Sequence, residues 1–412
     1  MRLKEVLGEV MSGGPPAIVG VGRTRFGEHF EVDPEDLIDE AGLMALESAG
    51  IERKDLEACY ISDYLLQITS KMGLEEGFIS QLLEMNIPIE RMRSFSSALM
   101  NACHAIEAGK YDVVLVGGIE KMTDRLSKIR DDLMLFTDRW SYYSGGTPES
   151  DHELLLREYI KEYKISRDDR EKLMLTLAQI SVKNHRNALW NEYAHLRREI
   201  DVERVLAARR EERKLLGIYD FAPISDGATA LVLTSSRRAK EYASEPIYVL
   251  ASASATDYIS YPSRPYRSGF IASRIAMEKA LKMAKISLDD INLLEVYDQS
   301  TILEMVSLED LGFVERGTAW IKLYENFNDF NGYYDFCGRE IFVNSDGGLK
   351  ADGNPLGATG GAQIFEVVKQ LRGEAGQRQV KTDGDLLYGC VQEMEGFGTK
   401  IYVHILGRER NE

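Results

Sequence analysis

The chain has 412 residues, 44% hydrophobic and 28% charged, with 50 basic against 67 acidic side chains and a formal net charge of −17. That apolar content excludes a disordered chain. No apolar run reaches the ~18 residues a membrane-spanning helix needs, and the acidic balance excludes broad, non-specific nucleic-acid binding. Cys59, Cys103, Cys337 and Cys390 stand far apart with no CxxC pair. A disulfide framework or structural zinc site is therefore not expected, and a reducing, cytoplasmic compartment fits best.

The N-terminal stretch through Gly14 lacks an apolar signal core and reads as a short amphipathic arm. Ala17–Gly22 is an apolar run ending in glycine and predicts a buried strand. A helix is predicted over Pro34–Ala49, with Asp33 and Glu35 at its start and Gly50 as its stop. Asp55–Ser62 holds the next strand. Asp112–Gly118 holds another, after an alanine-rich helix ending near Gly109.

Residues 45–63 align without gaps to residues 280–298. Six positions are identical: Ala45/Ala280, Leu46/Leu281, Ala49/Ala284, Ile51/Ile286, Asp55/Asp290 and Asp63/Asp298. Two amphipathic helix–turn–strand units of ordinary α/β grammar would give this. So would a duplicated half offset by 235 residues, which would set comparable loops at the carboxyl ends of equivalent strands. Between the repeats, Arg125–Leu216 is helical in pattern and nearly neutral, with 19 Lys/Arg against 17 Asp/Glu. It reads as a solvated cap, and as the least repulsive surface for an anionic ligand. The expected division is an N-terminal half (1–124 and 217–245), a cap (125–216) and a C-terminal half (246–412).

The most informative segment is Asn344–Gly360, NSDGGLKADGNPLGATG, with five glycines in 17 residues ahead of a helix that ends near Gln370. Such glycines let a backbone approach a ligand and leave helix N-terminal N–H groups free. Alone, the segment also reads as a tight strand-to-helix turn. The string resembles the GGxxxxGHPxGATG signature of the thiolase superfamily, specifically its sterol-carrier-protein-X type. Other blocks agree in order. Gly117–Met122 (GGIEKM) resembles the family's GGxEKM, and Pro223–Ala230 its DGAAA-type turn. Glu295–Asp298 (EVYD) with Leu308–Gly312 resembles its EVHDxF…ExLG stretch, and Cys390–Gly398 its last cysteine- and glycine-containing loop. The resemblance spans residues 16–408. It implies an α/β fold of pseudo-twofold αβαβα layers with a helical cap, and a homodimer or dimer of dimers acting in lipid metabolism. It implies acyl-CoA as ligand at Gly347, Gly348, Gly357, Ala358, Thr359 and Gly360. No bound cofactor or metal is implied; the CoA thioester is substrate or ligand.

Thiolase chemistry needs a cysteine nucleophile, a histidine to generate its thiolate, a second cysteine to move the α-proton, and oxyanion donors. Counting back from Asp112 puts the family's nucleophile at Met92; counting forward through Arg91 puts it near Ser96. Neither is cysteine, and Cys103 falls where the pattern wants an apolar core residue. A serine of Ser94–Ser97 would need a strong adjacent base. The family's GHP histidine aligns with Asn354, and none of the six histidines falls in a glycine-rich motif. Cys390 sits where the family places its acid/base cysteine, or is a packing residue. The following Glu393 and Glu395 are either solvated loop charges or a replacement base. Tyr297 takes the place of an oxyanion-hole asparagine or histidine, as a donor, as a weak acid/base, or as filler. Three outcomes follow: a non-thiolytic enzyme such as a retro-aldolase on β-hydroxyacyl-CoA, working with a small OB-fold partner; a non-catalytic subunit beside an active thiolase paralogue; or an acetyl-CoA acetyltransferase with an unrecognised nucleophile.

Overall fold

The structure, a computed structural model, describes residues 14–125, 127–327, 332–382, 384 and 386–409. The expected N-terminal arm lies outside the described residues, save Gly14. In chain order the first half is β1 (Ala17–Arg23), α1 (Pro34–Ala49), β2 (Ala58–Ser62), β3 (Ile89–Met92), α2 (Phe95–Glu107) and β4 (Val113–Glu120). The cap follows as α3 (Ile129–Leu133), α4 (Arg139–Tyr143), α5 (Ser150–Glu162), α6 (Arg167–Ala188) and α7 (Val202–Glu212). Then come β5 (Gly227–Thr234), β6 (Ile247–Thr256), α8 (Ile271–Ala284), β7 (Leu293–Glu295), α9 (Thr301–Asp310), β8 (Tyr334–Asp335) and β9 (Glu340–Val343). The chain closes with α10 (Gly348–Asp352), α11 (Leu356–Leu371), β10 (Tyr388–Glu395) and β11 (Lys400–Gly407). The start and stop chemistry of α1 is visible in place. The Asp36 carboxylate accepts the Asp33 N–H at 3.3 Å, Pro34 opens the helix, and Gly50 ends it at φ 65°.

The strands form one sheet in the order β3-β2-β4-β5-β1-β6-β11-β10-β7-β9-β8. About the β1/β6 seam the order repeats, with β6, β7, β9, β10 and β11 in the places of β1, β2, β3, β4 and β5. The senses repeat too. β2 runs parallel to β3 and β4, and β7 parallel to β9 and β10; β4–β5 and β10–β11 are antiparallel. Ala58, at the start of β2, is equivalent to Leu293 at the start of β7, the offset seen in the sequence repeat.

Period-two alternation sorts the side chains into layers. Val114 and Val116 face a core built on Phe95, Ala98 and Leu99 of α2 and Ile364, Phe365 and Val367 of α11. Inward residues of the second half, Leu293 and Val391, join the same core. Val113 and Leu115 point the other way, toward α1 residues Ala41 and Ala45, and α8 covers the outer face of β6 and β11. The result is the five-layer α-β-α-β-α arrangement, with α2 and α11 in the middle. Among the described residues no helix is long and apolar enough to cross a membrane.

One expectation is corrected. Cys390–Gly398, read as a loop, is strand through Glu395, pairing residue for residue with β11 from Tyr388↔Gly407 to Glu395↔Lys400. Glu393 and Glu395 are buried strand residues, not solvated loop charges. The strand tolerates them because alternation sends both to the inward face, where helix α2 begins.

Candidate functional site

A cleft of about 500 Å³ opens between the cap and the carboxyl ends of the strands. Its wall holds Arg130, Arg198, Lys214 and Lys350 against only Glu149 and Glu212, so a chain of strongly negative net charge presents a locally cationic cleft. Lys350 is the innermost of these cations. Its Nζ lies 3.3 Å from His185 Nε2, and His185 Nδ1 lies 3.0 Å from the Arg198 carbonyl oxygen. The carbonyl can only accept, so Nδ1 carries the proton and Nε2 accepts from Lys350. Burial lowers Lys350 to about 8 and, together with the neighbouring lysine, lowers His185 to about 3.

A smaller pocket of about 60 Å³, termed the inner pocket, adjoins the cleft, the two sharing Leu133, Pro148, Gln299 and Leu356 as a common wall. Tyr64, His152, Tyr297 and Phe397 line that inner pocket. Asn354 is fixed from three sides. Residue 354 bridges to Ile224, its N–H donates to Ser225 Oγ at 3.2 Å, and Thr359 Oγ1 donates to its Oδ1 at 2.8 Å. With Oδ1 taken by a donor, Nδ2–H is the group offered to the Tyr297 phenol oxygen, a contact that opposes the rise of the phenol pKa. That pKa is raised nonetheless, first by burial and then by the Glu393 carboxylate. Tyr297 is therefore a neutral phenol.

Glu393 stands behind this tyrosine. Tyr297 and Glu393 are each two residues beyond the Glu295↔Val391 pair of parallel strands β7 and β10. Its Oε2 accepts the Ser96 N–H at 2.7 Å in the first turn of α2, and the carboxylate also receives the Gly360 N–H of α11. A Cβ at position 360 would collide with Oε2, so only glycine leaves room there. Oε1 is buried without a hydrogen-bond partner among the described residues. Burial raises Glu393 to about 7 against the Ser96 hydroxyl, the Ser96 N–H and the Gly360 N–H, which lower it. Glu395, two residues on, accepts from Ser94 Oγ at 2.7 Å and Tyr402 Oη at 3.0 Å.

The other expected site residues fall as follows. Met92 closes edge strand β3, its sulfur 3.9 Å from Asn101 Nδ2, and it does not reach the inner pocket. Of the two registers weighed for the nucleophile position, Ser96 is the one whose N–H meets the Glu393 carboxylate. Cys390 sits on the opposite face of β10 from Glu393, in the core with Leu294 and Ile405, and burial pushes its thiol up to about 12. The structure does not bring it to Tyr297. The glycine-rich loop lines the cleft through Lys350, Asn354 and Leu356 rather than through its glycines. Gly347 packs on Ala188 at φ 112°, and Gly348 on the Asp298 carboxylate. Gly357 packs on the Ile119 carbonyl, Thr359 holds Asn354, and Ala358 is core. The expectation of free helix N-terminal donors is corrected as well. Gly357 N–H is taken by Glu120 at 3.2 Å, because a buried carboxylate needs that donor.

Sequence reasoning missed His152, which arrives from cap helix α5 with Nδ1 2.7 Å from Ser300 Oγ and edge contacts to Phe221 and Phe397. Burial lowers it to about 3. It also missed Tyr64, one residue past the repeat, buried and raised by desolvation and then by Glu395 and Glu393. For Tyr64, its place beside Asp63 at the strand end was a usable signal; for His152 there was none.

Residues 16–206 match the family Thiolase, N-terminal domain, and residues 253–408 the family Thiolase C-terminal domain-like. An acetyl-CoA acetyltransferase of Methanothermobacter thermautotrophicus is 36% identical over 401 residues, covering 95% of this chain and 99% of that protein. Sterol carrier protein 2 of Gallus gallus is 30% identical over 396 residues, covering 89% and 69%. Among solved structures, an Ltp2-ChsH2(DUF35) aldolase matches the fold with a TM-score of 0.76 at 22% identity, covering 97% of this chain and 99% of that one. A monomeric SCP2-thiolase-like protein type 1 from Mycobacterium smegmatis matches with a TM-score of 0.72 at 18% identity, covering 96% and 78%.

Proposed function

The chain belongs to the thiolase superfamily, on its sterol-carrier-protein-X branch, and on that footing we propose that it binds acyl-CoA and breaks or forms a carbon–carbon bond without a covalent acyl-enzyme, as a retro-aldolase acting on β-hydroxyacyl-CoA. The observation that carries this reading is Tyr297: a neutral phenol at the inner end of a cationic cleft, supported by Asn354 where the family carries histidine, with no thiol beside it.

The cleft cations meet the phosphates of CoA, and the acyl chain passes the throat at Asn354 and Gln299 into the inner pocket. In the cleavage direction the β-hydroxyl gives up its proton. The Cα–Cβ bond breaks with its electron pair moving to the thioester as an enolate, and the β-carbon leaves as a carbonyl compound. A proton returned to Cα then gives the shortened acyl-CoA. Such a step needs a proton carrier at the hydroxyl and a donor at the enolate oxygen, and no nucleophile. Tyr297 serves as the carrier, and the Gln299 amide, which borders both chambers, as the donor. The fold shared with a DUF35-containing aldolase supports a small OB-fold partner that helps hold CoA, and the family supports a dimer.

The test is incubation with a β-hydroxyacyl-CoA. Release of a carbonyl compound and a shorter acyl-CoA, lost in Tyr297→Phe, is expected. A stable covalent label from radiolabelled acetyl-CoA would instead establish acyltransferase chemistry. CoA protection against thermal unfolding with neither activity would leave a non-catalytic subunit.

A further inference from the structure

On the retro-aldol reading, which is the premise here, negative charge grows on the thioester oxygen as the Cα–Cβ bond breaks, and the Gln299 amide meets it. We infer that His152 supplies a second donor, giving its Nε2–H to the enolate oxygen from the cap side of the inner pocket. That makes His152 a catalytic residue contributed by the cap.

The placement rests on measured contacts. His152 lies in the first turn of α5 and is 2% exposed, yet it lines the inner pocket together with Tyr297 and Gln299. Its Nδ1 is 2.7 Å from the Oγ of Ser300, the residue next to Gln299, so cap and loop are joined at the pocket wall. Phe221 and Phe397 make edge contacts with the ring at 5.3 and 4.8 Å between centroids and hold its orientation. Nε2 has no hydrogen-bond partner among the described residues, yet it is not sealed in the core as both nitrogens of His404 are. Its accessible surface faces the pocket that His152 lines.

Hydrogen-bond accounting gives the tautomer. Ser300 is buried, and Nδ1 is the one partner its hydroxyl has among the described residues. If the hydroxyl donates to Nδ1, both groups are satisfied and Nε2 carries the imidazole proton. The opposite tautomer would bury the Ser300 O–H without an acceptor. Burial also holds His152 near 3, so at neutral pH the ring is an imidazole and not an imidazolium. Glu149 is the charge acting on its titration, and it opposes that fall. Tyr64, Tyr297 and Asp151 are the other titratable groups on the pocket wall, and Asp151 accepts from Thr137 Oγ1 at 3.2 Å. A neutral imidazole is too poor a base to take the β-hydroxyl proton, but it is a good electrophile for a developing oxyanion. No proton leaves His152: the hydrogen bond strengthens as charge builds on the oxygen and relaxes when Cα is protonated.

The experiment has two arms. The first is 15N NMR of histidine-labelled protein with and without acyl-CoA, His152→Gln assigning the signal. His152 is expected to carry its proton on Nε2 throughout the neutral range, with a shift of that signal when acyl-CoA binds. His185, whose Nδ1 donates to a carbonyl, is expected to show the reverse tautomer. A His152 protonated on Nδ1, or one titrating near the ordinary ~6.5, would overturn the inference whatever the reaction proves to be. The second arm measures cleavage of a β-hydroxyacyl-CoA, and α-deuterium uptake from D2O into a saturated acyl-CoA, for wild type, His152→Phe and His152→Gln. His152→Phe is expected to lower kcat ~100-fold at nearly constant KM, and His152→Gln, which keeps an N–H donor, to recover ~10-fold of that loss. Circular dichroism confirms that each variant is folded, and the glutamine variant carries the comparison should the phenylalanine variant fold poorly. Wild-type cleavage that survives unchanged in both variants would also overturn the inference and leave the aldolase reading standing. α-Deuteration without cleavage, lost in His152→Phe, would retain His152 as the enolate donor while removing the retro-aldol reading. Neither reaction in the wild type removes both.

Discussion

Where Ser62 lies opposite Gly118 in the first half of the sheet, Tyr297 and Glu393 occupy the equivalent positions of the second half. In the first half everything is closed. Ser62 Oγ donates to the Gly357 carbonyl at 2.7 Å, and a Cβ on Gly118 would collide with that carbonyl and with the Phe95 ring and Ser62 hydroxyl at 2.7 and 2.8 Å. In the second half the corresponding strand position carries the Glu393 carboxylate, and Gly360 of α11 gives up its side chain to it instead. Even the next matching position is kept, Glu120 against Glu395, each a buried glutamate holding neighbouring donors. The two halves share one scaffold, and the proposed site sits where their residues differ.

The sharpest break is the pair Tyr297→Phe and Ser62→Ala. The first is expected to lower kcat ~1,000-fold in the cleavage assay, equivalent to ~4 kcal/mol, without loss of fold. The second is expected to leave kcat unchanged while costing ~1 kcal/mol in a urea titration. Equal effects on rate would erase the distinction between the halves. Next comes pH. Glu393 is raised in the folded protein from an ordinary 4.5 to about 7, so the native state binds more protons than the unfolded chain between those values. Stability attributable to this group therefore falls as pH rises through that window, by ~3 kcal/mol in all. Stability curves of wild type and Glu393→Gln should diverge there, and parallel curves would mean that the carboxylate is not held protonated. Gly118→Ala should cost ~2 kcal/mol by overpacking against the α11 backbone, read as a lower urea midpoint at constant slope. The smallest effect is expected in the cap, where Arg198→Ala should raise KM for acyl-CoA ~5-fold, about 1 kcal/mol, with kcat kept. A fall in kcat would mean that Arg198 acts at the reacting centre.

Much of the scaffold was legible. The helix at 34–49 carries its own stop signals, and its bounds are those expected, because proline at its start and a left-handed glycine at its end are local chemistry. The gapless repeat anticipated the matched strand orders, since both copies obey the same packing alternation. Tyr297 and Asn354 were picked out separately by motif, and the fold brings the amide near enough to act on the phenol. What misled was the segment after Cys390. Two glutamates amid glycine look like a loop, and only pairing with β11 turns them into inward-facing strand residues. Cys390 and Glu393 are three residues apart and face opposite sides of one strand, a difference that motif position does not encode.

The sequence by itself determined the family, the two matched halves and the charged helical cap. These are properties of local composition, period and motif. Only the tertiary structure decided that Glu393 and Glu395 are buried against the start of α2, that His152 and Tyr64 reach the inner pocket, and that the Gly357 N–H belongs to a protein carboxylate rather than to a ligand. The reason is physical: whether a carboxylate is a solvated charge or a buried acceptor depends on what surrounds it, and its surroundings here come from segments nearly 300 residues away in the chain.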